Sequence, residues 1–363
     1  MSINAVGTSW MRIQASRLLP RARHLPSPLR LATGTQRLDN FRHSWKHIRL
    51  NTTCAAMSTS VPASIPQHVP LQPFKTHQPS SYPGSPRVHS FYDDPTATWT
   101  FVTADPVSRE AIVIDPVLDY EPSAGRISQK SVKGLAAFLQ QERYTVVRIC
   151  ETHVHADHLT GAYALKKLLP EGPPVFIGSR VVDVQERFAP VYGLHQAELE
   201  NAFDDFLHDG ESFSIGSLTA VARSLPGHTP DSMGIQVGDT VFAGDSLFLP
   251  DVGTARVDFP GGDAKDLYSS IERLFKLSGD FRIFSGKYLS NLFRITITNF
   301  FPTQSGHDYP SERDKSCYST VADQLAHNKH VGGPEASLDS FVEMRSRRDA
   351  ALGQPAGWTG AEG

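Results

Sequence analysis

The stretch Thr152-His153-Val154-His155-Ala156-Asp157-His158-Leu159-Thr160-Gly161 follows a predicted strand, Thr145–Cys150, and leads into a predicted helix. Four of its residues, three histidines and one aspartate, are of types that bind metal ions strongly. Because side chains alternate along extended backbone, the first two histidines point the same way. The turn into the helix then brings the Asp-His pair to a neighbouring position. One short loop therefore offers ligands to two adjacent metal sites.

Two later segments also place a ligand-type residue after a predicted strand. His228 follows the first of them, and Gly227 frees the backbone to turn there. Asp245 comes at the end of the second, and His307 stands further on in a Gly-His-Asp-Tyr-Pro run. Either histidine alone would more often be a hydrogen-bonded turn residue. Their order after the first loop favours a role as metal ligands.

Short strands alternate with helices over residues 88–355, which predicts one large α+β domain. The predicted strands are Val88–Tyr92, Thr98–Thr103, Ala111–Ile114, Thr145–Cys150, Val175–Ile177, Ser212–Ile215, Leu218–Ser224, Met233–Val237, Thr240–Ala243 and Phe281–Ser285. The predicted helices are Lys130–Arg143, Asp157–Leu169, Asp263–Leu277, Lys315–His327 and Ser337–Leu352.

The charge of the chain is divided between its two parts. Residues 1–92 carry eleven basic residues and one acid, whereas the rest of the chain is acidic. An acidic body repels phosphate, so we expect no nucleic-acid partner. No apolar run approaches the ~20 residues that span a bilayer, so we expect no membrane span.

The basic N-terminal part has the composition of a targeting segment. Residues 1–56 contain serine and almost no acid, which is typical of a mitochondrial transit peptide and predicts a matrix protein. The alternative is a basic tail with no targeting role. Residues 57–87 are rich in proline and serine and predict an extended linker. Met57 is a candidate internal start for a cytosolic form.

The motif order His-x-His-x-Asp-His, Gly-His-Thr, Gly-Asp and a late His resembles the metallo-β-lactamase superfamily. The resemblance covers about residues 88–355 and implies a four-layer αβ/βα sandwich with metals at one edge of its two sheets. Within the superfamily, the glycine-containing run 251–262 followed by His307-Asp308-Tyr309 resembles the persulfide dioxygenase (sulfur dioxygenase) branch, and most of all its bacterial-type members.

The resemblance implies a particular chemistry. In that branch one Fe(II) per subunit is held by two histidines and an aspartate, which correspond here to His153, His228 and Asp245. The substrate would be glutathione persulfide or a related low-molecular-weight persulfide, oxidised by O2 to sulfite and thiol in sulfide detoxification. Members of the branch are often dimers, so a homodimer is expected by analogy.

The resemblance also implies roles for other residues. Four further ligand-type residues would orient the iron ligands or form a vacant second site: His155, Asp157, His158 and His307. Arg256 and Tyr309 would lie by the glutathione site. For Arg256 the alternative is an ion pair with Asp251 or Asp258.

A glyoxalase II-like thioesterase would use the same residues to hold two Zn ions. One ion would be bound by His153, His155 and His228, the other by Asp157, His158 and His307, with Asp245 between them. The ions would lower the pKa of bound water toward ~7 and deliver hydroxide to a thioester carbonyl. Spacing fits both readings, and the Arg256 segment favours the dioxygenase.

Residues 287–306 depart from the family pattern, in which the last predicted strand runs almost directly into His-Asp-Tyr. The segment has no acid and is rich in phenylalanine, leucine and isoleucine. Its deletion restores Phe-Ser-Gly-His-Asp-Tyr. Codons for the residues at its two ends and in its interior can contain a splice donor, a branch site and a splice acceptor. We therefore interpret it as a retained intron, with a lineage-specific loop as the alternative. A catalytically impaired isoform is a further hypothesis.

Overall fold

The computed structural model describes residues 68–121, 123–288 and 314–352. In chain order its strands are β1 (Lys75–His77), β2 (Arg87–Asp93), β3 (Thr98–Ala104), β4 (Glu110–Ile114), β5 (Val117–Leu118), β6 (Tyr120–Glu121), β7 (Arg126–Ile127), β8 (Thr145–Cys150), β9 (Leu159–Thr160), β10 (Val175–Gly178), β11 (Asp205–Leu207), β12 (Ser212–Ile215), β13 (Leu218–Ser224), β14 (Met233–Val237), β15 (Thr240–Phe242), β16 (Arg282–Phe284) and β17 (Tyr318–Thr320). The helices are α1 (Lys130–Gln141), α2 (Ala162–Leu168), α3 (Val181–Tyr192), α4 (Gln196–Glu200), α5 (Ala264–Phe275), α6 (Val321–His327) and α7 (Leu338–Leu352).

The strands form two large mixed sheets. The first has the order β1-β2-β3-β4-β8-β10-β11, antiparallel from β1 to β4 and parallel from β4 onward. The second has the order β12-β13-β14-β15-β16-β17, and only β15 and β16 are parallel neighbours within it. Two small antiparallel pairs, β5 with β9 and β6 with β7, complete the described strands.

Alternation along the strands explains the layers. In β3, Trp99 and Phe101 face the second sheet, whereas Val102 and Ala104 face the helices α1, α2 and α3. The other face of the second sheet packs against α5, α6 and α7, for example through Ile283. Helices, sheet, sheet and helices therefore form four layers, and the predicted αβ/βα sandwich is confirmed.

The expected linker over residues 57–87 is wrong for the part that the structure describes. Strand β1 lies within it and pairs with β2 in the register Thr76↔His89. The Leu71 N–H also donates to the Gly134 carbonyl at 2.9 Å. The extended backbone of this proline-containing stretch supplies an edge strand to the sheet. Residues 1–56 lie outside the described residues.

Two predicted helices begin later than expected. Residues 157–161 contain a bend and the strand β9 before α2 starts at Ala162. Residues 318–320 pair with β16 as β17, and α6 starts after Thr320, whose hydroxyl accepts from the Asp323 N–H. Strand pairing takes the β-prone residues first, and the capping side chain then starts the helix. No described helix is long and apolar enough to cross a membrane.

The site lies where strands from both sheets end. Strands β4 and β8 are parallel neighbours in the first sheet, and β15 and β16 are parallel neighbours in the second. Parallel neighbours present their carboxyl ends at the same edge, and the loops that follow all four strands meet there. Two hydrogen bonds also tie the loop after β8 to residues that follow β13, from the Met233 N–H to the Thr152 carbonyl at 2.7 Å and from the Val154 N–H to Asp231 Oδ2 at 2.8 Å.

Candidate metal centre

The described residues include three groups of side chains whose ligand atoms lie within 4.8 Å of one another. The first group is His153, His228 and Asp245, the second is His155, Asp157 and His158, and the third is Asp115, Glu151 and His155. The structure thus brings together the six described ligand residues that the sequence predicted. His307 and Tyr309 lie outside the described residues, so their roles stay predictions.

In the first group His153 and Asp245 are buried and His228 is half-buried, and each histidine is held through one of its ring nitrogens. His153 Nε2 lies 3.9 Å from Asp245 Oδ2, and both residues are buried. His228 Nδ1 donates to the Arg256 carbonyl at 2.8 Å, which turns its Nε2 into the site. Burial and the neighbouring His155 and His228 lower the pKa of His153 well below its ordinary value. Neutral imidazole is the form that binds a metal ion.

A short chain of hydrogen bonds orients His153. The Thr152 hydroxyl donates to Asp115 Oδ2 at 2.7 Å and lies 3.0 Å from His153 Nδ1. Because the hydroxyl proton is given to the carboxylate, the hydroxyl oxygen accepts from the His153 Nδ1–H. That tautomer leaves His153 Nε2 without a proton and free to bind a metal ion.

The second group contains two buried ring nitrogens with no hydrogen-bond partner among the described residues. They are His155 Nδ1 and His158 Nε2. The opposite nitrogens are engaged, His155 Nε2 with Glu151 Oε2 at 2.9 Å and His158 Nδ1 with Asp157 Oδ1 at 3.0 Å. A buried nitrogen without a partner is costly unless it binds something. The residues present therefore fit a metal centre.

Carboxylates behind the ligands set the charge of His155. Burial disfavours its charged form, but Asp115 and Glu151 more than offset burial and raise the pKa of His155 well above its ordinary value. Neither carboxylate was among the site residues predicted from the sequence. The signal was present, since Asp115 follows β4 and Glu151 follows β8, at the edge where the ligands gather.

Lys287, the first residue of the anomalous segment, is another residue of the site that was not predicted from the sequence. Its ammonium is buried and lies 2.5 Å from Asp157 Oδ2 and 2.6 Å from Thr98 Oγ1. Burial opposes its charge, but the carboxylates of Asp157 and Asp245 more than offset burial and raise the pKa of Lys287 above its ordinary value. A cation of the protein itself thus stands beside the second ligand group.

Arg256 makes the ion pair that the sequence analysis offered as its alternative. Its guanidinium forms a two-pronged pair with Asp258, and the residue is buried. Arg345, from α7, donates to the Ala255 carbonyl and so ties the helix to this loop. The arrangement holds the Arg256 carbonyl that receives the His228 N–H. The substrate-binding role of Arg256 stays a prediction.

Comparison with known proteins identifies the family. The sequence model of the Metallo-beta-lactamase superfamily matches residues 94–287, more than half of the chain. The chain therefore belongs to the metallo-β-lactamase superfamily. Its similarity to the crystal structure of ETHE1 from Myxococcus xanthus supports the fold, with a TM-score of 0.54 and 24% identity over 76% of this chain and 95% of that one.

Curated relatives carry names from both candidate chemistries. Glyoxylase B2 of Dictyostelium discoideum is 34% identical over 74% of this chain and 86% of its own length. Human mitochondrial persulfide dioxygenase ETHE1 is 33% identical over 54% of this chain and 66% of its own length. A beta-lactamase hydrolase-like protein of Xylella fastidiosa is 34% identical over 75% of this chain, which spans only 58% of that protein. These similarities support the persulfide dioxygenase branch, and the names of the relatives include both an oxygenase and hydrolases.

Proposed function

We propose that this chain is a persulfide dioxygenase that holds one Fe(II) and oxidises glutathione persulfide or a related low-molecular-weight persulfide. The observation that carries the proposal is the group of two imidazoles and one carboxylate formed by His153, His228 and Asp245, of which His153 and Asp245 are buried and His228 is half-buried. That donor set is typical of non-haem Fe(II) oxygenases and leaves positions for substrate and oxygen. The similarity to persulfide dioxygenase ETHE1 adds support.

The proposed reaction is balanced: one persulfide, one O2 and one water give one thiol, one sulfite and two protons. Iron(II), when bound, supplies the redox chemistry that joins oxygen to the persulfide sulfur. The residues of the chain keep the donor atoms ready for it. Asp115 and Thr152 fix the tautomer of His153, and the Arg256 carbonyl fixes that of His228.

The second candidate is a thioester hydrolase with two Zn ions. It is favoured by His155 Nδ1 and His158 Nε2, which have no hydrogen-bond partner among the described residues and which a second metal ion would engage. The similarity to Glyoxylase B2 also favours it. In that reaction bound water of lowered pKa would attack a thioester carbonyl.

The two candidates separate in one set of assays. Purified metal-free protein is loaded with Fe(II) under nitrogen or with Zn(II), and each form receives glutathione persulfide in an oxygen electrode and, separately, a glutathione thioester. The proposal expects oxygen uptake and sulfite only from the iron form, with both lost in Asp245→Ala. Thioester hydrolysis by the zinc form, without persulfide-dependent oxygen uptake by the iron form, would reject it.

The anomalous segment needs its own comparison. The full chain and a chain lacking residues 287–306 are assayed side by side for oxygen uptake. If the segment impairs the enzyme, the shortened chain is the more active of the two. Equal activity would contradict the impaired-isoform hypothesis.

Import into the mitochondrial matrix is also part of the proposal, and rests on the composition of residues 1–56. N-terminal sequencing of the mature protein is the test. A mature protein that begins downstream of the basic segment is expected, and one that retains Met1 would contradict import.

A further inference from the structure

The Lys287 ammonium lies among the side chains of the second ligand group. Its Nζ is 2.5 Å from Asp157 Oδ2 and 3.5 Å from His158 Nδ1. The Lys287 side chain is only 2% exposed, so the ammonium has left water for this position. A buried lysine is tolerated when anions and hydrogen-bond acceptors surround it, and here Asp157 and the Thr98 hydroxyl do so.

The backbone on both sides of Lys287 is held in place. The Gly286 N–H donates to the Gly244 carbonyl at 2.8 Å, and the Gly286 carbonyl accepts from the Trp99 N–H at 2.8 Å. The Tyr288 N–H donates to the Ala97 carbonyl at 3.0 Å. Lys287 itself forms an antiparallel bridge with Thr98, which belongs to β3. Hydrogen bonds to backbone groups at the ends of strands from both sheets therefore hold the segment that directs the ammonium inward.

The Asp157 carboxylate cannot serve both the ammonium and a second metal ion. Asp157 is the only carboxylate in the second group and already pairs with Lys287. A divalent cation placed among His155, Asp157 and His158 would stand within a few ångströms of the ammonium and be repelled by it. The first group contains no residue that hydrogen-bonds Lys287 among its described contacts.

We propose that Lys287 takes the place of a second metal ion, so that the chain binds one metal ion, at His153, His228 and Asp245. This proposal rests on the proposed function in one respect, the assignment of the single metal ion to the first group of ligands. It predicts that one ion binds even when zinc, which would fill both sites of a thioesterase, is in excess.

The proposal also gives the anomalous segment a specific consequence. In this chain the residue after Gly286 is Lys287, but in a chain without residues 287–306 it is His307. The segment thus places a lysine ammonium directly after Gly286, where the shortened chain would have the imidazole of His307, a side chain that can bind metal. The variant Lys287→His reproduces this exchange without changing the length of the chain.

Metal stoichiometry tests the proposal. Metal-free full-length protein is titrated with Zn(II) against a competing chelator, and bound zinc is measured by mass spectrometry after gel filtration. We expect one zinc per chain for the wild type and two for Lys287→Met and Lys287→His. Lys315→Met is the matched control, because Lys315 pairs with Asp94 at the surface at 2.7 Å, and it should bind one. Thermal unfolding checks that each variant is folded.

Two zinc ions per wild-type chain would overturn the proposal, whatever happens to the variants. One ion in a folded Lys287→Met and a folded Lys287→His would overturn it as well. If neither variant folds, the wild-type stoichiometry alone decides. Oxygen uptake is measured on iron-loaded portions of the same proteins, so a chain that binds one ion but does not oxidise persulfide in its iron form refutes the proposed function and leaves the role of Lys287 standing.

Discussion

Asp115 connects the strand scaffold to the metal ligands, and its replacement by asparagine tests that connection. The residue follows β4 with a φ of 49° and is 2% exposed. Its Oδ1 accepts from the Thr152 N–H at 2.7 Å, and its Oδ2 accepts from the Thr152 hydroxyl at 2.7 Å. Asparagine has nearly the same shape and tolerates a positive φ, so Asp115→Asn changes mainly charge and hydrogen-bond direction.

The substitution reverses the direction of the two hydrogen bonds that the Thr152 hydroxyl makes, one with residue 115 and one with His153. With its oxygen at the Thr152 N–H, the new amide presents its NH2 to the Thr152 hydroxyl, which must then accept. The hydroxyl proton turns to His153 Nδ1 and favours the tautomer with a proton on Nε2, the nitrogen that binds metal. Changes behind a metal ligand weaken metal binding by about 10–100-fold. Loss of the charged acceptor costs about 1.5–3 kcal/mol of unfolding free energy.

Two measurements check these magnitudes. Metal affinity is measured by competition with a chelator, and the free energy of unfolding of the metal-free protein by urea denaturation. Asp94→Asn is the matched control, since the Asp94 side chain is 79% exposed, and both of its values should equal the wild type's. An Asp115→Asn variant whose metal affinity stays within twofold of the wild type would refute the tautomer argument, even if the variant were less stable.

Three further predictions concern one glycine, one aspartate and the metal ion. Gly227→Ala should cost about 3 kcal/mol of unfolding free energy and weaken metal binding at the adjacent His228, because φ is +137° and a Cβ would lie 2.3 Å from the Leu267 backbone. Gly210→Ala is the control for the clash, because its φ of +79° is also strained for alanine but its Cβ would meet open space; it should cost less and leave metal binding unchanged. Although burial opposes it, hydrogen bonds from Ser217, Val107 and Ser108 lower the pKa of Asp105 to about 2. Its stabilisation is therefore present above pH ~4 and lost as the pH falls toward 2, and pH-dependent urea denaturation of Asp105→Asn should lack that component. Metal at 100 times its dissociation constant should stabilise the protein by about 2.7 kcal/mol, which calorimetry with and without a chelator measures; an unchanged melting temperature would contradict a metal centre.

The ligands of the first group were accessible to sequence reasoning because each belongs to a short motif. His153 sits in a dense cluster of ligand types, and Asp245 follows a strand. A strand period of two residues and a turn of known type are local properties, so they can be read without knowing the rest of the fold. The four layers, in contrast, were implied by the resemblance to the superfamily and not by the local pattern.

The elements that sequence reasoning misplaced depend on partners elsewhere in the chain. The residues of β1 look like a proline-rich linker until β2 offers them an edge to pair with. The residues of β17 look helical until β16 pairs with them. Pairing with a distant strand outweighs local preference, and local preference is all that a single segment displays.

The sequence alone determined the superfamily resemblance and the candidate ligand set, since histidines and aspartates in that order after strands have few other uses. The tertiary structure decided what surrounds the ligands. It placed Lys287 against Asp157, paired Arg256 with Asp258, and put Asp115 behind Thr152. Charges and hydrogen bonds act through distances in space, and the distances between loops from two different sheets exist only once both sheets have packed.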